Sequence, residues 1–92
     1  MSLLSLLSAD DTQQQLAQAV RDRRKLLKLS RNALAERSTV PASTIKKFET
    51  TAQISLRQFI LLWQCVDSLE NLVGLVKQQE NKPSSIDEVL KG

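Results

Sequence analysis

Ala42, Ser43, Lys46 and Lys47 are the side chains whose types and spacing could do chemistry here, and that chemistry is recognition rather than bond-making. On an α-helix these positions share one side, while Ile45, Phe48 and Glu49 at i, i+3 and i+4 share the other. One face is suited to a core. The other offers two ammonium groups, a hydroxyl and a methyl to an anionic, hydrogen-bonding surface. The sets needed for bond-making are missing. The sequence has no histidine, Cys65 is its only cysteine, and no Gly-rich phosphate loop is present. Asp87 and Glu88 are adjacent and diverge on a helix, so they form no paired-carboxylate site. The expectation is a binding protein with no catalytic residues, no metal ligands and no cofactor.

The face formed by residues 42–47 needs a neighbouring helix to hold it, and the run Leu29 to Glu49, LSRNALAERSTVPASTIKKFE, supplies one. Ser30 suits an N-cap, where its hydroxyl accepts from an early backbone N–H. Leu34 is the core residue of this helix, and Ala35 a small residue at the crossing. Ser38-Thr39 breaks the pattern, Val40 is apolar, and Pro41 suits a helix start, where a missing N–H costs nothing. Two short helices joined by a tight turn are predicted.

This run resembles the Cro and lambda-repressor class of DNA-binding domains, the XRE-type helix-turn-helix. The landmarks are Ala35, Val40 after the turn, and Ser43-Thr44-Ile45-x-x-Phe48-Glu49. The resemblance spans roughly residues 12–76, with Ile54 to Leu62 and the closing Ser84 to Leu90 similar to HipB-like regulators encoded beside HipA-type kinases. It implies an all-α, five-helix lambda-repressor-like fold with a short N-terminal arm and a C-terminal tail. It further implies a dimer on palindromic double-stranded DNA, its recognition helices in major grooves roughly 34 Å apart. Ala42, Ser43, Lys46 and Lys47 then contact bases, with lysine donating to guanine and alanine meeting a thymine methyl. Arg31, Thr44, Thr50, Thr51 and Gln53 contact phosphate. Arg24 and Glu49 form the structural ion pair that aims the recognition helix, a pairing that a double charge swap should partly restore. A HipA-like kinase toxin is a second implied partner. The alternatives are an antitoxin or adaptor that acts mainly by docking a kinase, and a phage-type repressor without a toxin. Two positions depart from the pattern. Thr39 and Lys28 stand where the class places Gly or Asn, and both places tend to need a left-handed backbone, costly for threonine.

The remaining sequence is consistent with one small helical domain. Ninety-two residues with two Gly, two Pro and three aromatics favour helices over strands. A chain this short has a thin core, which oligomerisation commonly supplements. Charge is uneven: residues 1–50 hold nine Lys/Arg against five Asp/Glu, and residues 51–92 hold four against five. Taken alone, that excess is no more than a solvated surface. Residues 1–11 read as an arm and helix start, residues 12–77 as the domain with its dimerisation helices, and residues 78–92 as a linker with a short apolar tail. Ser8-Ala9-Asp10-Asp11 is close to a capping box for a first helix running to about Lys28, with Leu16, Val20 and Leu27 as its stripe, flanked by Ala19 and Leu26. Residues 49–53 read as the loop after the recognition helix. Ser55 caps a helix whose core face is Leu56, Phe59, Ile60, Leu62, Trp63 and Val66. A fifth helix, from Leu69 to Val76, carries Leu69, Leu72, Val73 and Val76 at core-like spacing. Leu61, Cys65, Leu72, Val76, Ile86 and Leu90 are candidates for the dimer or partner interface, because helices four and five carry more apolar bulk than so small a domain hides. MSLLSLLS is too short and uncharged for a signal peptide or a membrane span, so a cytoplasmic protein with no membrane partner is expected.

Overall fold

The computed structural model describes residues 8–74, and every regular element among them is helical: α1 (Ala9–Leu26), α2 (Arg31–Ser38), α3 (Ala42–Thr51) and α4 (Leu56–Val66). A fifth helix, α5, starts at residue 69 and is described through residue 74. The all-α, five-helix expectation holds. Local capping explains most of the boundaries. At α1 the Ser8 hydroxyl accepts from Asp11 N–H at 3.0 Å, and the Asp11 carboxylate accepts from Ser8 N–H at 3.3 Å, a complete capping box. Ser30 and Ser55 cap α2 and α4 in the same way, accepting from Ala33 and Gln58 N–H. Ser68 accepts from Asn71 N–H at the start of α5.

Helix ends turn on three left-handed residues that are not glycine: Lys28 (φ 59°), Thr39 (φ 66°) and Ala52 (φ 63°). After α1, Lys28 N–H donates to Lys25 C=O and Leu29 N–H to Arg24 C=O, the paired bonds of a Schellman ending. After α2, Thr39 N–H donates to Ala35 C=O, and the Ser38 hydroxyl, in a residue only 1% exposed, accepts from Val40 N–H. Lys28 and Thr39, the two positions that depart from the resembled pattern, thus both adopt the left-handed backbone that pattern requires. Ala52 is a third αL position, at the end of α3, that local sequence did not disclose.

Helices α3 and α4 each pack across both α1 and α2. Val20, Leu34, Val40, Ile45, Phe48 and Leu62 are fully buried at the centre. Phe48 meets Phe59 edge-on at 6.0 Å between centroids, and Phe59 lies 5.9 Å from Trp63, so an aromatic row joins α3 to α4. The Trp63 indole N–H donates to Ser68 C=O at 2.9 Å, while Arg23 stacks 4.7 Å from its ring centroid and pairs with Asp67 at 2.8 Å. This clamp fastens the end of α1 to the end of α4.

Several predicted core residues lie elsewhere. On α1 the buried residues are Ala17, Val20 and Arg24, whereas Leu16, Leu26 and Leu27 are exposed. The reason is close helix contact: the small Ala17 faces the crossing with its neighbours, and the leucines sit at its edges or beyond the last turn. Leu16 borders a shallow apolar groove of about 220 Å³ with Phe48, Ile54, Leu56 and Phe59. Leu56, in the first turn of α4, is 74% exposed, so it does not belong to the core face, and Leu69 and Val73 on α5 are also exposed. Conversely, Leu61 and Cys65 are half-buried against the core, because α4 is contacted on two sides. Among the described residues no helix is long and apolar enough to cross a membrane.

Candidate nucleic-acid interface

α3 presents its two faces as the pattern requires. Ile45 and Phe48 are buried and the Glu49 side chain is 1% exposed, while Ser43, Lys46 and Lys47 are exposed and Ala42 and Thr44 are half-buried. Neither lysine forms an ion pair among the described residues. The cationic side is held outward by the burial of the apolar side behind it.

The angle of α3 is set by a charged cluster at its inner end. Arg24 donates from Nε to Glu49 Oε2 at 2.7 Å, from Nη2 to Oε1 at 3.0 Å, and from Nη1 to Leu29 C=O at 2.7 Å. Each of its three nitrogens therefore makes a bond inside the protein, and the residue is only 7% exposed. The ion pair read from the sequence is present, in the bidentate form that fixes orientation as well as distance. A third member was not anticipated: Arg31, placed at a phosphate-contacting position, also donates from Nε to Glu49 Oε1 at 3.0 Å. Burial pushes the Glu49 carboxyl up, but hydrogen bonds and positive charge from Arg24 and Arg31 outweigh it and leave its pKa lowered.

Between the last turns of α1 and the N-termini of α2 and α3 runs an open groove of about 640 Å³. Its lining includes Arg21, Lys25, Arg31 and Lys46, with Ser30, Asn32 and Ser43, and contains no carboxylate. Arg21 Nε is buried there without a hydrogen-bond partner. The cationic run on α1, unremarkable as sequence, contributes Arg21, Arg24 and Lys25 to this groove. Only the crossing of α1 with α2 and α3 shows that it does.

The other predicted phosphate contacts lie apart from the groove. α3 runs on to Thr51, so residues 49–51 are helix rather than loop, a correction to the sequence-based boundary. The cause is in the side chains. The Thr50 hydroxyl donates to Lys46 C=O at 2.9 Å and the Thr51 hydroxyl to Lys47 C=O, which sustains the last turn until Ala52 adopts αL. Both hydroxyl protons are thereby committed to the helix itself. Thr50, Thr51 and Gln53 border polar clefts shared with Gln14 of α1, away from Arg31 and Lys46.

The chain matches no protein-family model, no curated protein and no solved structure. Of the interface candidates, Leu61, Cys65 and Leu72 are half-buried against the core, and Val76, Ile86 and Leu90 lie outside the described residues. The Cys65 thiol pKa is raised by burial, with the charge of Arg37 acting in the opposite direction. Among the described residues no group of three or more His, Cys, Asp or Glu could hold a metal ion.

Proposed function

We propose that this protein is a sequence-specific, dimeric DNA-binding regulator acting in the cytoplasm, in the manner of an XRE-type repressor. The finer reading is a HipB-like antitoxin that represses its own operon. One observation carries the proposal: α3 holds Ser43, Lys46 and Lys47 exposed on one side while Ile45, Phe48 and Glu49 are buried on the other. It adjoins a groove lined by cations and by no carboxylate. A helix so presented fits the major groove, and the flanking cations fit the phosphates on its edge. Lys46 and Lys47 would donate to guanine O6 and N7, Ser43 to a base or phosphate, and Ala42 would meet a thymine methyl. Arg31, Arg21 and Lys25 would neutralise the backbone.

The test is selection of duplexes from a random library, then binding of the selected site across a salt series. Lys47→Ala should weaken the selected site by about 1–3 kcal/mol and relax preference at one base pair in each half-site. Affinity should fall steeply with salt. A parent protein that enriches no sequence, and binds no duplex even at low salt, refutes the proposal.

A kinase-docking role has separate support. Leu69 and Val73, at i and i+4 on α5, are 40% and 45% exposed, an apolar pair suited to a partner protein or a second copy. Leu69→Lys with Val73→Lys should abolish association while leaving the thermal transition of the monomer in place. Sedimentation of the protein alone, and mixed with a HipA-like kinase, measures it.

A further inference from the structure

We infer that Glu49 is a positioning residue for the Arg31 guanidinium, making Arg31 a fixed rather than a floating phosphate donor. The inference rests on the DNA-binding reading and goes beyond it by assigning Arg24 and Arg31, which share one carboxylate, to different tasks. Arg24 has its Nε and both Nη groups bonded inside the protein, and its residue is only 7% exposed, so its part is structural. Arg31 uses Nε alone, on Glu49 Oε1 at 3.0 Å; its Nη groups make no hydrogen bond among the described residues, and its side chain is 35% exposed on the cationic groove. A guanidinium is planar, so tying Nε to a buried acceptor restricts the directions the plane can take and leaves the Nη edge free. Glu49 cannot itself swing, because Arg24 holds both of its oxygens. At Arg31 the groove thus contains a donor edge held in direction before any anion arrives, beside lysines that form no ion pair among the described residues.

Coupling follows from the shared carboxylate. Glu49 belongs to α3, so a phosphate drawn to Arg31 also bears on the anchor that sets the angle of the cationic helix. Lysine at position 31 has the charge but a single nitrogen, which can meet Glu49 or a phosphate without spanning the two in one rigid plane.

The experiment measures binding of a random-sequence duplex by the full chain over a salt series, for the parent, Arg31→Ala, Arg31→Lys and Glu49→Gln. Arg31→Ala should reduce the slope of log affinity against log salt by about 0.9, the value of one lost phosphate contact. Arg31→Lys should keep the parental slope and bind about tenfold more weakly, the worth of an oriented charge-assisted bond. Glu49→Gln should resemble Arg31→Lys, with slope retained and affinity reduced. If Glu49→Gln does not fold, Arg31→Lys decides the matter, since its site is partly exposed. Arg31→Lys binding as tightly as the parent overturns the inference, because charge alone then suffices. An unchanged slope in Arg31→Ala also overturns it, because Arg31 is then only structural. In both of those cases the parent still binds DNA and the functional reading stands. A parent that binds no duplex removes the functional reading, and this inference with it.

Discussion

Arg24→Ala is the most demanding test of how the cationic face of α3 is held. The substitution removes a side chain whose residue is 7% exposed, together with two bonds to Glu49 and one to Leu29 C=O. It leaves Glu49, itself 1% exposed, with Arg31 as its remaining ion-pair partner, and deprives Leu29 C=O of its bond from Nη1. Removing one partner of a buried pair costs about 3–5 kcal/mol, because the other charge is left desolvated. A domain of 92 residues has about 5–14 kcal/mol in total. The loss therefore reaches a large fraction of the whole, or about 12–40 °C in Tm for a domain this small. Arg31→Ala is the internal control: its side chain is 35% exposed, and its pair is worth under about 1 kcal/mol to stability. Urea titration followed by the fluorescence of Trp63, the only tryptophan, measures both variants. The charge swap suggested by the sequence must also be revised. Arg24→Glu with Glu49→Arg would set a new arginine against Arg31, so rescue should be small until Arg31 is also changed to Ala. The reasoning fails if Arg24→Ala costs less than about 1 kcal/mol, or if it costs no more than Arg31→Ala.

Three further outcomes are expected. Thr39→Gly relieves an exposed αL threonine (φ 66°); the strain relieved, about 1–2 kcal/mol, is partly offset by the greater freedom of glycine in the unfolded chain, so urea titration should show a gain of up to about 1 kcal/mol. Acid should destabilise the fold through Glu49 and Asp67, whose pKa values are both lowered: their stabilisation is complete above the unfolded carboxylate values, about 4, and is lost as pH falls through the lower folded values. Melting temperatures between pH 7 and pH 2 should fall mainly below about pH 4, and less steeply in Glu49→Gln if that variant folds. The Cys65 thiol, half-buried with a raised pKa, should alkylate with iodoacetamide more slowly at pH 8 than a free thiol, and at the free rate in urea.

The serine caps, the Ile45–Phe48 core face and the outward lysines were legible because each depends on short spacing, and the Arg24–Glu49 pair because the resemblance to the helix-turn-helix class implied it. A cap closes within three residues, and a helical face follows from a 3.6-residue period. That period locates an apolar stripe but not the line along which another helix crosses it. Thus Ala17 is buried while Leu16, Leu27 and Leu56 are exposed, because the close approach of neighbouring helices selects the residue at the crossing, whatever its size. Leu61 and Cys65, read as interface candidates, are likewise half-buried because α4 packs against both α1 and α2.

By itself the chain determined where its helices begin and which side of α3 carries cations, since backbone hydrogen bonding and helical phase are satisfied within a few residues. Tertiary structure alone decided that Arg31 joins Arg24 on Glu49, that Arg23 joins Trp63 and Asp67, and that Arg21 and Lys25 face the same groove as Lys46. Those relations connect residues up to 44 positions apart, and charge has no sequence period that would reveal which distant partner it meets. They exist only once the packed core has fixed the angles between the helices.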